Sequence, residues 1–309
     1  MIVVLKSYSQ ANLISDINKG NASSSPNNKI TYKGYTYFIA NDGINGSELW
    51  RTDGTVSGTS IFKEFVPGSE GGIIAITPIV SNNMLYFYAI DNGSNFLWKS
   101  DGTVSGTIKV KEFSSIQAFH ETINNELVFS AENKLWKTNG TETGTIKLAD
   151  FAVFGNTRFV KSGNEIYFSG EASSSIGQEL YKTDGTSVSL VKNIYTSSSK
   201  DSYPNNFAAL NGVVYFSATN GSNGFELWKS DGTDAGTTLV KDITSGSGST
   251  FSTNTPITIF NNKLFFKKDS SLWQSDGTEA NTTEVKSNLG LIKGILEVNS
   301  KLLIFSYNT

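Results

Sequence analysis

An eight-residue signature returns six times along these 309 residues, and a single irregular domain does not produce such a pattern. Its first full form is Glu48-Leu49-Trp50-Arg51-Thr52-Asp53-Gly54-Thr55. It recurs around Trp98, Trp136, Tyr181, Trp228 and Trp273, with the aromatic positions 48, 38, 45, 47 and 45 residues apart. A period in that range marks stacked or radially arranged units, none of which buries its apolar face alone. Residues repeated once per unit are therefore read first as structural.

Each unit resolves into four short apolar runs. In the fifth they are Asn206–Leu210, Val213–Ala218, Phe225–Lys229 and Thr238–Ile243. Asn211-Gly212 joins the first two, and both residues tolerate the positive φ of a tight hairpin turn. No segment has a 3.6-residue apolar period of helical length. Pairs such as Tyr37-Phe38 and Leu227-Trp228 put apolar groups on both faces of a strand, as in a sheet covered on both sides.

Counting each landmark separately gives unequal numbers. The second-strand core position occurs seven times, at Phe38, Phe87, Phe129, Phe168, Phe216, Phe266 and Ile304. The turn before it also occurs seven times: Lys33-Gly34, Asn82-Asn83, Asn124-Asn125, Gly163-Asn164, Asn211-Gly212, Asn261-Asn262 and Asn299-Ser300. An apolar residue near the end of the fourth strand recurs at Ile17, Phe65, Phe113, Phe151, Ile194, Ile243 and Leu289. The third-strand aromatic occurs only six times. The chain opens on a fourth-strand pattern, Ala11–Ile17, and closes on a first and second, Gly294–Val298 and Leu302–Phe305. Val3–Ser7 supplies a third strand, with Leu5 at the tryptophan position. These counts predict an all-β, seven-bladed β-propeller of four-stranded blades over residues 1–309 as a single domain, its closing blade shared between N- and C-terminal strands, which leaves no sheet edge between first and last units.

The signature resembles that of the ELWxxDGT repeat family, a bacterial β-propeller-type repeat, over nearly the whole chain. Glu48-Leu49-Trp50 with Asp53-Gly54-Thr55, and Glu226-Leu227-Trp228 with Asp231-Gly232-Thr233, are complete copies. Phe96, Lys134 and Ser271 replace the Glu in other copies, Tyr181 replaces the Trp, and Asn139 replaces the Asp. The resemblance implies a secreted or surface-associated bacterial protein and confers no activity.

Composition narrows the function classes. Net charge is −3 and no basic stripe is visible, which excludes an ordinary nucleic-acid binder. No run of 18 apolar residues suggests a membrane span. There is no cysteine, so disulfides, thiolate metal sites and cysteine nucleophiles are excluded. The Ser, Thr, Asn and Gly bias points to an extracellular or cell-surface location. The opening Met1–Lys6 run is too short for a signal-peptide core, so the sequence reads either as a cytoplasmic protein or as a mature segment or domain of a longer one.

Candidate chemistry is weighed residue by residue. Asp53, Asp101, Asn139, Asp184, Asp231 and Asp276 fit turns in which the side chain accepts backbone N–H groups and the next Gly takes positive φ. They are spread one per unit, so they do not converge on an ion. Asn41-Asp42-Gly43 and Asp91-Asn92-Gly93 lack the oxygen count of a calcium loop. His120, the only histidine, falls at the start of a first strand, the strand that lines the expected channel, and a triad or histidine-based metal site needs more than one histidine. No catalytic set, cofactor or metal is expected.

Loop length is the functional clue. The connections Asn18–Asn28, Val66–Pro78, Tyr195–Asn206 and Thr244–Pro256 are long, whereas Ser114–Ala118 is short. The second-to-third-strand loops also vary, and in a propeller both sets fall on one face. Variable loops on a rigid scaffold are where binding concentrates. Tyr195, Asp201, Tyr203, Phe251 and His120 are the ligand-binding candidates. The leading expectation is a monomeric, non-catalytic interaction module that binds a protein or glycan through its loop-rich face. Two alternatives stand: a carbohydrate-active hydrolase or lyase at the channel mouth, and a structural spacer in a large surface protein.

Overall fold

The computed structural model describes residues 13–73, 77–150, 159–172, 175–197, 200–252 and 255–307. The described residues contain strands and turns and no helix. They form six four-stranded antiparallel sheets and one two-stranded sheet, each strand pairing with its neighbour in sequence.

Two compact units divide the chain. The first carries three sheets. Its strands are β1 (Asn27–Tyr32), β2 (Tyr35–Asn41), β3 (Ser47–Thr52) and β4 (Ser60–Lys63); β5 (Ile79–Ser81), β6 (Met84–Asp91), β7 (Ser94–Ser100) and β8 (Ile108–Glu112); and β9 (Ile116–Ile123), β10 (Glu126–Ala131), β11 (Lys134–Thr138) and β12 (Ile146–Ala149). The leading strands β1, β5 and β9 contact one another in succession.

The second unit repeats the plan. Its strands are β13 (Val160–Ser162), β14 (Glu165–Gly170), β15 (Glu179–Thr183) and β16 (Val188–Lys192); β17 (Asn205–Leu210), β18 (Val213–Ala218), β19 (Glu226–Ser230) and β20 (Thr238–Lys241); β21 (Thr258–Phe260), β22 (Lys263–Lys268), β23 (Ser271–Ser275) and β24 (Thr283–Lys286); and the pair β25 (Leu291–Val298) and β26 (Lys301–Tyr307). Here β13, β17, β21 and β25 meet in succession.

The first two strands of each sheet close through tight turns. Both central residues have positive φ at six of the seven, as at Asn211 (53°) with Gly212 (80°) and Asn299 (50°) with Ser300 (59°). The core is built by one repeated cross-strand pair. Phe38 faces Trp50, Phe87 faces Trp98, Phe129 faces Trp136, Phe168 faces Tyr181, Phe216 faces Trp228 and Phe266 faces Trp273. The leucine before each of those third-strand aromatics is fully buried on the opposite face. Immediately after that leucine, the pairing of third with fourth strand slips by one residue in all six sheets. This bulge bends the outer strand at the same place each time.

Two expectations about the ends need restating. Val3–Ser7, with Leu5, lies outside the described residues, as do Ala11, Asn12 and Phe151. Leu13–Ile17 forms no strand. Leu13 and Ile14 are exposed, and with Ile17 they line a groove of about 640 Å³ beside Phe38, Thr36 and Pro26. The segment has the apolar content of a fourth strand but lies over a sheet face instead of pairing at an edge.

Candidate functional site

The signature acts as a clamp within and between neighbouring sheets. At the first turn, Asp53 Oδ1 accepts from Thr55 N (2.9 Å) and Thr55 Oγ1 (2.7 Å), and Thr55 Oγ1 accepts from Gly58 N (2.9 Å). Asp101, Asp231 and Asp276 make the same pair of bonds, and Asn139 makes them with its amide oxygen at 3.0 and 2.7 Å. Asp184 sits in a shorter turn and bonds Thr186 and Ser187 N–H groups. The Thr55 hydroxyl and N–H bonds hold the exposed Asp53 carboxyl below the usual range, and the equivalent bonds do so for the other turn aspartates.

A hydroxyl pair lies under each full-length turn: Thr52 with Thr59, Ser100 with Thr107, Thr138 with Thr145, Ser230 with Thr237 and Ser275 with Thr282, all at 2.7–2.8 Å. The sequence carries the signal for this pair, a Ser or Thr before the Asp and a Thr seven residues later, which the shorter signature does not include.

The turn also touches the preceding sheet. The hydroxyls of Tyr86, Tyr167 and Tyr215 lie against Gly140, Gly232 and Gly277 of the sheet that follows. Lys229 Nζ donates to Gly277 O at 3.0 Å, and Arg51 Nη1 to Gly102 O at 3.4 Å. The repeated Asp-Gly-Thr turn is thereby used by its own fold, within its sheet and against the preceding one.

At the opposite end of the third strand, the signature glutamate holds the outgoing connection. Glu48, Glu179 and Glu226 are fully buried. Glu48 accepts from Phe65 N and Val66 N at 3.2 and 3.4 Å. Glu179 accepts from Ile194 N (2.7 Å), Tyr195 N (3.3 Å) and Ser202 Oγ (2.6 Å). Glu226 accepts from Ile243 N (3.0 Å), Thr244 N (3.3 Å), Thr250 N (3.1 Å) and Thr250 Oγ1 (3.0 Å). Desolvation pushes all three carboxyls up, Glu48 to about 7, against the lowering effect of those N–H bonds.

These three glutamates stand where the next connection is long, from β4 to β5, β16 to β17 and β20 to β21. Phe96 and Ser271 replace them where the connection is short, from β8 to β9 and β24 to β25. In these three repeats the glutamate is thus a staple for the long loop that follows, while Lys134 stands in its place ahead of the connection from β12 to β13. Each stapled loop also lies on the start of the third strand or the loop just before it, through Ile73 N to Ser47 O, Ser202 N to Gln178 O and Thr250 N to Phe225 O. The two variable loop sets therefore share one end of the sheet in these three repeats.

The sequence-derived candidates fall into three groups. Tyr195, Asp201 and Tyr203 lie on the connection from β16 to β17. The Tyr195 ring packs on Gly221. Asp201 Oδ1 accepts from Gln178 N at 2.7 Å. Tyr203 is 48% exposed, with its ring centroid 6.3 Å from that of Phe225. Phe251, by contrast, is buried against Phe266 at 4.9 Å and offers no surface, because its connection folds back under Glu226. His120 sits apart on β9, half-buried, with Nε2 3.1 Å from Ser130 Oγ. Burial lowers its pKa to about 3, so it is a neutral group at ordinary pH. Asp42 Oδ1 accepts from Ile44 N and Asn45 N, and Asp91 pairs with Lys109. Among the described residues no cluster of three His, Cys, Asp or Glu is arranged to hold a metal.

No family model matches the chain, and no curated protein matches it. Among solved structures, one from a structural and mechanistic study of two prolyl endopeptidases is similar at a TM-score of 0.51 and 12% identity. The match covers 90% of this chain and 45% of that one, so this chain spans under half its length. The β-propeller domain of the Trilobed protease from Pyrococcus furiosus aligns at a TM-score of 0.45 and 11% identity, over 89% of this chain and 88% of that one. At such identities the likeness is one of fold alone.

Proposed function

We propose that this chain is a non-catalytic interaction module, a seven-bladed β-propeller that presents the stapled, loop-rich end of its sheets to a protein or glycan. The observation that carries the reading is the division of labour within each repeat. Tight turns, Phe–Trp pairs and Asp-Gly-Thr clamps are spent on the fold, while Glu48, Glu179 and Glu226 fix loops of unequal length and sequence at one end.

The seventh blade is part of the proposal. Among the described residues every other second strand pairs with a third strand on its outer side, whereas β26 pairs with β25 alone. Phe305 and Tyr307 on β26 are 50% and 65% exposed. Val3–Ser7 has the composition to cover that edge. Deleting residues 1–17 is expected to lower the melting temperature sharply, and an unchanged melting transition would argue against closure.

The functional reading is tested with the purified chain on glycan and peptide arrays, alongside turnover assays on chromogenic glycosides. Saturable binding without turnover is the expected result. Turnover on any of the glycosides overturns it.

A further inference from the structure

One polar clamp recurs between neighbouring sheets, and it does not recur at every step. The tyrosine before the facing phenylalanine reaches the glycine of the next sheet's turn four times: Tyr37 to Gly102, Tyr86 to Gly140, Tyr167 to Gly232 and Tyr215 to Gly277. A cationic side chain reaches the same turn at each of these steps. Arg51 Nη1 donates to Gly102 O at 3.4 Å, Lys192 Nζ to Asp234 O at 2.9 Å and Lys229 Nζ to Gly277 O at 3.0 Å, while Lys99 lies against Gly140. Further bonds bridge the same sheets, from Tyr32 Oη to Asn83 O at 2.7 Å and from Lys241 Nζ to Thr282 O at 2.8 Å.

The step from the third sheet to the fourth lacks the groups to form this clamp. Val128 stands at the tyrosine position, before Phe129, and has no hydroxyl. Lys137, the cation after Trp136, pairs inside its own sheet, with Nζ 2.6 Å from Glu126 Oε2. The turn that follows is the shortened one at Asp184. Lys182 of the fourth sheet also pairs at home, with Glu165, but Tyr167 and Lys192 still reach the sheet that follows. The division of the chain into two compact units falls at this same step.

Repeats are held by nearest-neighbour terms, so strongly linked repeats open together and a weak link separates them. Bonds from a charged donor strengthen such a link more than neutral ones. Two clamps join β1–β12, and two others join β13–β24. The pair β25–β26 follows the sixth sheet, where Phe265 and Gln274 take the clamp positions, and it packs on Phe265 and Leu272 instead.

We propose that β1–β12 and β13–β24 are two separately cooperative bodies, so that either opens while the other stays folded. The loop stapled by Glu48 belongs to the first body, and those stapled by Glu179 and Glu226 belong to the second. This division does not depend on what the loop end binds.

The test is native-state hydrogen exchange on the full chain, read by mass spectrometry in rising urea below the unfolding transition. The central strands β2, β6 and β10 are expected to share one opening free energy and urea dependence, and β14, β18 and β22 another. One common value for all six strands overturns the proposal without any variant. Gly140→Ala and Gly277→Ala each put a Cβ against a clamp tyrosine, 2.7 and 2.1 Å from its hydroxyl, at positive φ. Gly140→Ala is expected to speed exchange in β2, β6 and β10 about tenfold or more, and to leave β14, β18 and β22 within about twofold of the parent. Gly277→Ala is expected to do the reverse. Acceleration of both groups by either variant would show one cooperative body and overturns the division. Acceleration by Gly140→Ala confined to β6 and β10, the two sheets that this glycine joins, overturns it in the other direction.

Discussion

Glu226 Oε1 lies 3.1 Å from Thr250 N and 3.0 Å from Thr250 Oγ1, while the same carboxylate holds Ile243 N and Thr244 N at the start of the connection. One buried side chain therefore fixes both ends of the loop that follows its sheet. Truncating it leaves the part-buried Ile243 and Thr244 N–H groups without this acceptor, while Thr250 N keeps the Phe225 carbonyl. Glu226→Ala is expected to cost roughly 2–4 kcal/mol, since each unsatisfied buried donor costs about 1–3 kcal/mol and the loop relaxes part of it away. Urea unfolding measures the loss, and limited proteolysis is expected to find new cleavage between residues 244 and 250. A loss below about 0.5 kcal/mol would remove the staple from the account.

The same carboxylates set a pH dependence of defined sign. The folded-state pKa of Glu48 is raised to about 7, above its ordinary 4.5. The folded chain then binds more protons than the unfolded chain between those values, so this group's contribution is fully present below about 4.5 and is lost as pH rises through 7. Glu179 and Glu226 shift in the same direction. The exposed turn aspartates shift the other way, and their contribution is lost only as pH falls below the ordinary carboxylate range. Thermal melts from about pH 5 to about pH 8 are expected to show falling stability. Glu48→Gln is expected to flatten that slope, and a slope the same in the variant would show that Glu48 does not cause it.

Much of this was legible in the chain because it repeats. Period and count locate the hairpin turns and the facing pairs such as Phe216 with Trp228, since local turn chemistry and alternation decide both. The glutamate staple was hidden, because its meaning depends on how long the next connection is and on where that connection folds. Phe251 was misread for the same reason: on paper it is an aromatic in a loop, but the loop returns beneath Glu226 and buries it on Phe266. Tyr203 was visible as a loop aromatic, while its unsuitable torsion appears only in the structure. Leu13–Ile17 matched a strand in composition, and composition says nothing about whether an edge is present to pair with.

The turn aspartates give a test of charge against hydrogen bonding. Asn139 makes the bonds of its aspartate counterparts through a neutral oxygen. Asp231→Asn is therefore expected to change stability by less than about 0.5 kcal/mol, whereas Asp231→Ala, which removes the acceptor from Thr233, is expected to cost about 1 kcal/mol. Equal losses in the two variants would mean that the charge matters after all.

The contact between successive sheets is tested at Gly277. A Cβ there would fall 2.1 Å from the Tyr215 hydroxyl, at a φ of 91°. Gly54 has the same torsion, 92°, and open space around it among the described residues. Alanine at either position pays for the torsion, about 1 kcal/mol. Only Gly277→Ala also collides with the neighbouring tyrosine, which is expected to add roughly 1–3 kcal/mol. Tyr215→Phe shortens that side chain by the colliding oxygen, so the double variant is expected to recover part of the loss. The double-mutant cycle, read by urea unfolding, isolates the coupling between the two sheets. Equal destabilisation by Gly54→Ala and Gly277→Ala, with no coupling to Tyr215→Phe, would reduce the Asp-Gly-Thr glycine to a turn residue and remove its role in locking one repeat onto the next.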